Sequence, residues 1–232
     1  MGKTLTQQAR GHGSFTFRVR RKAYRYRITY PKLSIEGAGK IISLINSTAH
    51  TAPLAKIRIA NEVFYVPSAD GSYEGQEIEI GKGKVANGNI LKLKDIPQGT
   101  KLFNIEKFPG SGGKILRTAG SSGFVMNKDS RGVEIIIRRR IIRLHEDCRA
   151  IIGVCAGDGR LLKPFVKAGN KHYLMKAKGR KWHRTSPIKT NAVDHPFGGG
   201  RGKRIKSKIA KRNAPPGAKV GHIRPRRTGH IK

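Results

Sequence analysis

Acidic residues are scarce. The 232-residue chain holds 14 Asp+Glu against 49 Lys+Arg, a formal net charge of +35 and a pI of about 11.1. Self-repulsion on that scale disfavours a compact free state, and a polyanionic partner is the simplest relief. Long apolar runs are missing too, so no stretch approaches the roughly 18 residues of a membrane-crossing helix. Nor is there an amphipathic helix with Leu, Phe or Trp on one face, which an anionic membrane surface would want. No secretory signal opens the chain, and no membrane partner is expected. Cysteine is limited to Cys148 and Cys155, with six residues between them. That spacing makes no CxxC pair, so buried thiols are expected rather than a zinc site, even with His145 nearby. A reducing, intracellular compartment suits this usage.

What is present is unevenly spread. Residues 1–32 carry nine basic and no acidic residues, residues 33–160 carry 19 and 13, and residues 161–232 carry 21 and one, Asp194. Two basic arms therefore flank a nearly balanced centre. Two short modification patterns, Gly2 with Thr6 for myristoylation and Asn46-Ser47-Thr48 for glycosylation, match too little sequence to carry weight.

The centre reads as all-β. Residues 57–59 and 63–66 are short β-branched or aromatic runs around a turn at residues 60–62. Residues 77–80 alternate with period two up to Gly81, and residues 90–94 alternate up to the breaker Pro97-Gln98-Gly99. Residues 114–117, 123–127, 133–144 and 150–155 suggest a second strand set. Turns recur about every 8 to 12 residues, the spacing of small barrels. Two such barrels fit, with a break between Gly81 and Gly88.

From Lys178 onward apolar residues are sparse and Gly and Pro interrupt any periodicity. Such a segment cannot offset its own ordering entropy by burial. Its Trp182, Phe197 and many arginines suit ordering by a partner better than a flexible linker.

Two basic patches with aromatic interleaving stand out. Residues 18–30, RVRRKAYRYRITY, set Arg18, Arg20, Arg21, Lys22, Arg25 and Arg27 among Tyr24, Tyr26 and Tyr30. Guanidinium groups bind phosphates bidentately and tyrosine rings stack on unpaired bases. Residues 176–184, KAKGRKWHR, place the one tryptophan beside Arg180, Lys181, His183 and Arg184. With no apolar neighbours in sequence, Trp182 is expected to stack on a base or sugar.

A third stretch, NAVDHPFGGG at residues 191–200, offers two chemistries. Asp194 and His195 are adjacent, so in an extended chain their side chains diverge, and no serine or cysteine motif supplies a nucleophile. The glycines match neither a Walker loop nor a dinucleotide fold. Gly198, Gly199 and Gly200 instead offer a backbone without side chains, able to approach RNA closely, with Arg201, Lys203 and Arg204 following for phosphates. Packing against RNA is favoured over catalysis.

VDHPFGGG strongly resembles the signature of the universal large-subunit ribosomal protein family L-two. RGHG near residue 10, the YRYR stretch, IPQGTKLFNIE (96–106), GGKILRTAGSSG (112–123) and EDCRAIIG (146–153) resemble that family in the same order. Phe197 before the glycines and the short amino-terminal arm look like the archaeal and eukaryotic forms. Residues 189–192 depart from the more usual methionine-containing lead-in.

The resemblance implies an all-β protein: an OB-like RNA-binding barrel (35–83) and then an SH3-like barrel (84–160). A basic extension (1–34) precedes them, and a basic Gly/Pro-rich one (161–232) inserts into ribosomal RNA. It implies a structural constituent of the cytoplasmic ribosome, not an enzyme and not a homo-oligomer. Such a protein binds large-subunit rRNA near the peptidyl transferase region, touches neighbouring ribosomal proteins and reaches the small subunit through a bridge. It supports subunit association, tRNA binding and peptide-bond formation by the RNA. His195 matches the family histidine once considered for that reaction. No cofactor or protein-bound metal is expected, and magnesium would be held by the RNA. The alternative is a non-specific DNA-compacting protein, for which the Tyr, Trp and glycine features have no use.

Overall fold

Strands dominate the computed structural model, which describes residues 5, 8–199, 209–215 and 217–223. The chain divides into two units, Arg20–Leu174 and a second made of Met1–Val19 with Met175–Lys232.

The larger unit contains ten strands: β1 (Gly37–Ile45), β2 (Leu54–Ile59), β3 (Glu62–Pro67), β4 (Glu77–Gly81), β5 (Ile90–Lys92), β6 (Lys101–Phe103), β7 (Gly123–Asp129), β8 (Gly132–Ile137), β9 (Arg140–Leu144) and β10 (Arg149–Ile152). They pair in the order β3-β2-β1-β4-β5-β10-β6-β7-β8-β9. Every pairing is antiparallel except β4 with β5. Two-residue turns close the β2–β3 and β8–β9 hairpins, and each starts with a left-handed residue, Ala60 (φ 47°) and Arg138 (φ 58°). Positive φ at that position matches the turn's twist to that of the strands.

The sheet encloses two cores, and β5, β6 and β10 form the wall between them. Ile90, Phe103 and Ile151 face the first core with Ile41, Ile57, Phe64 and Ile80. Leu91, Leu102, Ala150 and Ile152 face the second with Val125, Val133 and Ile135. The register sets Ile151 opposite both Ile90 and Phe103, Ala150 opposite Leu91, and Ile152 opposite Leu102. Successive strand side chains point to opposite faces, so neighbouring residues on one strand fill different cores. Each fully buried Leu, Ile or Phe contributes on the order of 1.5–3 kcal/mol. The architecture is all-β, an OB-like barrel followed by an SH3-like barrel.

Some elements differ from the sequence expectation. β1 and β6 carry no clean alternation bounded by turn residues, yet both are strands. Residues 114–117 make only an isolated bridge, Ile105 to Ile115, because Leu116 (φ 57°) and Gly113 (φ 54°) turn the chain. The stretch 133–144 forms two strands, split at Arg138-Arg139. Both cysteines are buried and free beside β10, one in each core. Burial raises their thiols, Cys148 to about 11 and Cys155 to about 12.

A helix, α1 (Ala168–Ala177), follows the barrels and contains the point at which the units divide. It ends in a Schellman motif: Arg180 N–H donates to Met175 O and Gly179 N–H to Lys176 O, with Gly179 at φ +61°. In the smaller unit, a 3-10 turn spans Gln8–His12, and β11 (Ile209–Ala210) pairs in parallel with β12 (His222–Ile223).

Candidate nucleic-acid interface

The amino-terminal basic patch is a ribbon laid on the first barrel and pinned from beneath. Arg21–Tyr24 forms a 3-10 turn that buries Ala23, and Ala49 N–H donates to Ala23 O at 3.1 Å. Ile28 is buried and bridges Tyr65. Tyr30 is buried outright, its hydroxyl donating to Asn104 O at 2.6 Å. Burial, then the Glu106 carboxylate, holds the Tyr30 phenol well above its usual value. Between these anchors Arg20, Arg21, Lys22, Arg25 and Arg27 are all exposed. Of the interleaved tyrosines, Tyr26 packs on Tyr65 with ring centroids 5.0 Å apart, and Tyr30 is core. Only Tyr24 stays half-exposed, standing edge-on to His50 at 5.0 Å. Burial, with Arg117 adding to it, depresses the His50 pKa. Tyr24 is thus the ring this ribbon offers outward. Arg18 belongs to the smaller unit and is exposed there.

The second patch begins where α1 stops. The left-handed Gly179 leaves no room for a side chain, since a Cβ would lie 2.9 Å from Phe17 O. Arg180, Lys181, His183 and Arg184 then run exposed along an irregular segment. Trp182 does have a local partner: its ring lies 3.7 Å from the His183 ring, tilted by 42°. His183 reaches that position through a left-handed backbone (φ 59°).

The third stretch is a closed loop and not an extended chain. Asp194 and His195 N–H both donate to Asn191 O, Gly198 N–H to His195 O, and Gly199 N–H to Thr190 O. His195 is buried, and its Nδ1 accepts the Phe197 N–H at 3.0 Å, so a proton on this ring sits on Nε2. A Cβ at Gly198 would collide with the carbonyl oxygens of Asn191 and Thr190. The demand for glycine at 198 therefore comes from the loop's own backbone. Gly199, at φ +78°, is exposed. Gly200, Arg201, Lys203 and Arg204 lie outside the described residues.

Charge that the motif reading passed over sits on the second barrel. Arg138, Arg139 and Arg140 are exposed at the β8–β9 turn. Their signal was plain, three arginines in a row between β-branched residues. Arg143, by contrast, is paired with Glu134 and Asp129. Among the described residues no cluster of His, Cys, Asp or Glu could hold a metal ion, and no helix is long and apolar enough to cross a membrane.

Residues 86–217 match the family described as Ribosomal Proteins L2, C-terminal domain. The chain belongs to the uL2 family of large ribosomal subunit proteins. The large ribosomal subunit protein uL2 of Sulfurisphaera tokodaii is 41% identical over 99% of this chain and 98% of its own length. Those of Archaeoglobus fulgidus and Methanocaldococcus jannaschii are each 41% identical over 99% of both chains. Membership makes the chain a structural component of the large subunit and of the translating ribosome, not an enzyme.

Proposed function

We propose that this chain binds large-subunit ribosomal RNA through a pinned basic ribbon, the segment after α1 and the glycine loop. The observation that carries the reading is the ribbon at residues 20–27. Its apolar side chains are spent on anchoring, while every cation and one tyrosine face outward on a fixed backbone. Pre-organised cations lose little freedom on meeting phosphates, and a fixed ring suits an unstacked base. Charge alone is insufficient: if half of the +20 on residues 161–232 met phosphates, about ten contacts would lose on the order of 10³ to 10⁵ in affinity between 50 and 200 mM salt. Shape complementarity to folded RNA supplies the rest.

On this reading the barrels dock on RNA helices and the arms fill crevices towards the peptidyl transferase region. There they screen phosphate repulsion and support subunit association, tRNA binding and peptide-bond formation by the RNA. Neighbouring ribosomal proteins and a bridge to the small subunit complete the partners, and magnesium is held by the RNA. Sedimentation of cell extract through a sucrose gradient at high salt tests this. Comigration with the large subunit is expected, and release into light fractions or comigration with DNA would overturn it.

A further inference from the structure

Between the second barrel and α1 lies a stretch that nothing in the larger unit covers. Residues 157–170 are exposed without exception. They include four large apolar side chains: Leu161 at 80%, Leu162 at 86%, Phe165 at 54% and Val166 at 87% exposure. Isolated exposed apolar residues are ordinary on a protein surface, but a contiguous set marks an interaction site.

The backbone under them is ordered. Ala156 N–H donates to Ser68 O, and Gly157 would meet Ala119 and Pro53 if it carried a Cβ. The Asp158 carboxylate packs so closely on Gly120 that no side chain fits there. A 3-10 turn follows at Asp158–Leu161, closed by Arg160 N–H to Gly157 O and Leu162 N–H to Gly159 O. Pro164 prevents that turn from running on as a helix, and Asn170 N–H to Lys167 O starts α1. The segment is thus seated at its base, shaped by its own hydrogen bonds, and bare.

Its sequence, RLLKPFVK, repeats one pattern: a cation, two apolar residues, a cation, then after Pro164 two apolar residues and another cation. Arg160, Lys163 and Lys167 are all exposed, and Asp158, held against Gly120, is the one acid in this stretch. An apolar protein surface would want the apolar residues without interspersed like charge, because charged residues are depleted at interface cores. A nucleic-acid helix suits both halves of the pattern. Its phosphates meet the cations, and the wide, shallow minor groove of RNA offers ribose and base-edge surface to apolar side chains.

We infer that residues 160–167 form a mixed contact on helical RNA, with Arg160, Lys163 and Lys167 on phosphates and Leu161, Leu162, Phe165 and Val166 against the minor groove. This rests on the RNA-binding function proposed above and adds a site to it. The two halves have different signatures. Cations on phosphates set the slope of affinity against salt, whereas apolar contacts set affinity without changing that slope.

The test uses the full chain and protein-free large-subunit ribosomal RNA, with filter binding measured across a salt series. Leu161→Ser/Leu162→Ser/Val166→Ser is expected to weaken binding about 10- to 100-fold at every salt with an unchanged slope, at about tenfold for each 1.4 kcal/mol of lost contact. Lys163→Gln/Lys167→Gln is expected to reduce the log–log slope by about 1.5 to 2. Because every substituted side chain is exposed, circular dichroism should show all variants folded. A triple variant that binds like the parent overturns the inference. Failure of the parent chain to prefer this RNA over duplex DNA would instead overturn the RNA-binding reading itself.

Discussion

Arg149 and Glu106 are bound to each other inside the protein. The Arg149 Nη2 and Nε donate to the two oxygens of the Glu106 carboxylate, at 3.0 and 3.3 Å. The same carboxylate accepts the N–H groups of Gly112 and Arg149, while the Arg149 Nη1 donates to Pro31 O at 3.0 Å. The guanidinium also lies 5.1 Å from the Tyr30 ring centre. One buried pair thus fixes β10, the turn after β6 and the end of the basic ribbon together.

Removing one partner leaves a buried charge uncompensated, which costs about 3–5 kcal/mol. Arg149→Met should therefore lower the unfolding free energy by that amount, as read by urea unfolding of the barrels. Replacing both partners by apolar residues is often neutral elsewhere. Here it should not be, because the Gly112 and Arg149 N–H groups would lose their acceptor. A double variant as stable as the parent would refute this account.

The exposed cations of the ribbon predict the opposite behaviour. Among the described residues, the side chains of Arg20, Arg21 and Arg25 make no contact beyond the Arg25 guanidinium over the Tyr26 ring, at 5.9 Å. Arg20→Gln/Arg21→Gln/Arg25→Gln should leave the unfolding free energy in urea within about 0.5 kcal/mol of the parent's. The slope of log affinity for ribosomal RNA against log salt should fall by about 2 to 3. An unchanged slope would mean that these side chains do not meet phosphates.

Alkaline pH should destabilise the barrels through three buried acids. Cys148 and Cys155 are raised to about 11 and about 12, and Tyr30 is also raised, all chiefly by burial. A raised folded-state pKa keeps its proton longer than the unfolded chain does. Its contribution is full below the unfolded value, near 9 for the thiols and 10 for Tyr30, and is lost as pH rises towards the folded value. Urea midpoints should be flat up to about pH 9 and fall above it, and Cys148→Ala/Cys155→Ala should soften that fall. A parent chain with an unchanging midpoint through pH 11 would contradict the burial argument.

The sequence disclosed strands with clean alternation ended by a breaker, such as β4 stopping at Gly81, and the turn around residue 60. It hid β1, whose run from Gly37 to Ile45 holds a bulge between Ile41 and Ser43 that breaks the period. It also hid β6, only three residues long. The shared wall was not legible either, because Ile151 and Ile152 look alike in sequence and serve different cores. At the site, the cations were readable from charge alone. Which tyrosine remains outward was not, since Tyr26 and Tyr30 are claimed by Tyr65 and Asn104, 39 and 74 residues away. The glycine loop was legible as a motif. That it closes on Thr190 and Asn191 needs the backbone.

That closure gives a final test, a comparison of two glycines. A Cβ at Gly198 collides with two carbonyl oxygens of its own loop, whereas one at Gly169, in the first turn of α1, meets nothing within 4 Å. Gly198→Ala should therefore open residues 190–199 and release His195 from its place over the Phe197 amide. Gly169→Ala should be tolerated or gain up to about 1 kcal/mol from the reduced entropy of the unfolded chain. In a sucrose gradient at high salt, the Gly169 variant should sediment with the large subunit as the parent does. The Gly198 variant should be depleted from it, although both keep the circular dichroism of intact barrels. Equal incorporation of the two would show that the shape of this loop does not matter to assembly, and that its residues act through charge alone.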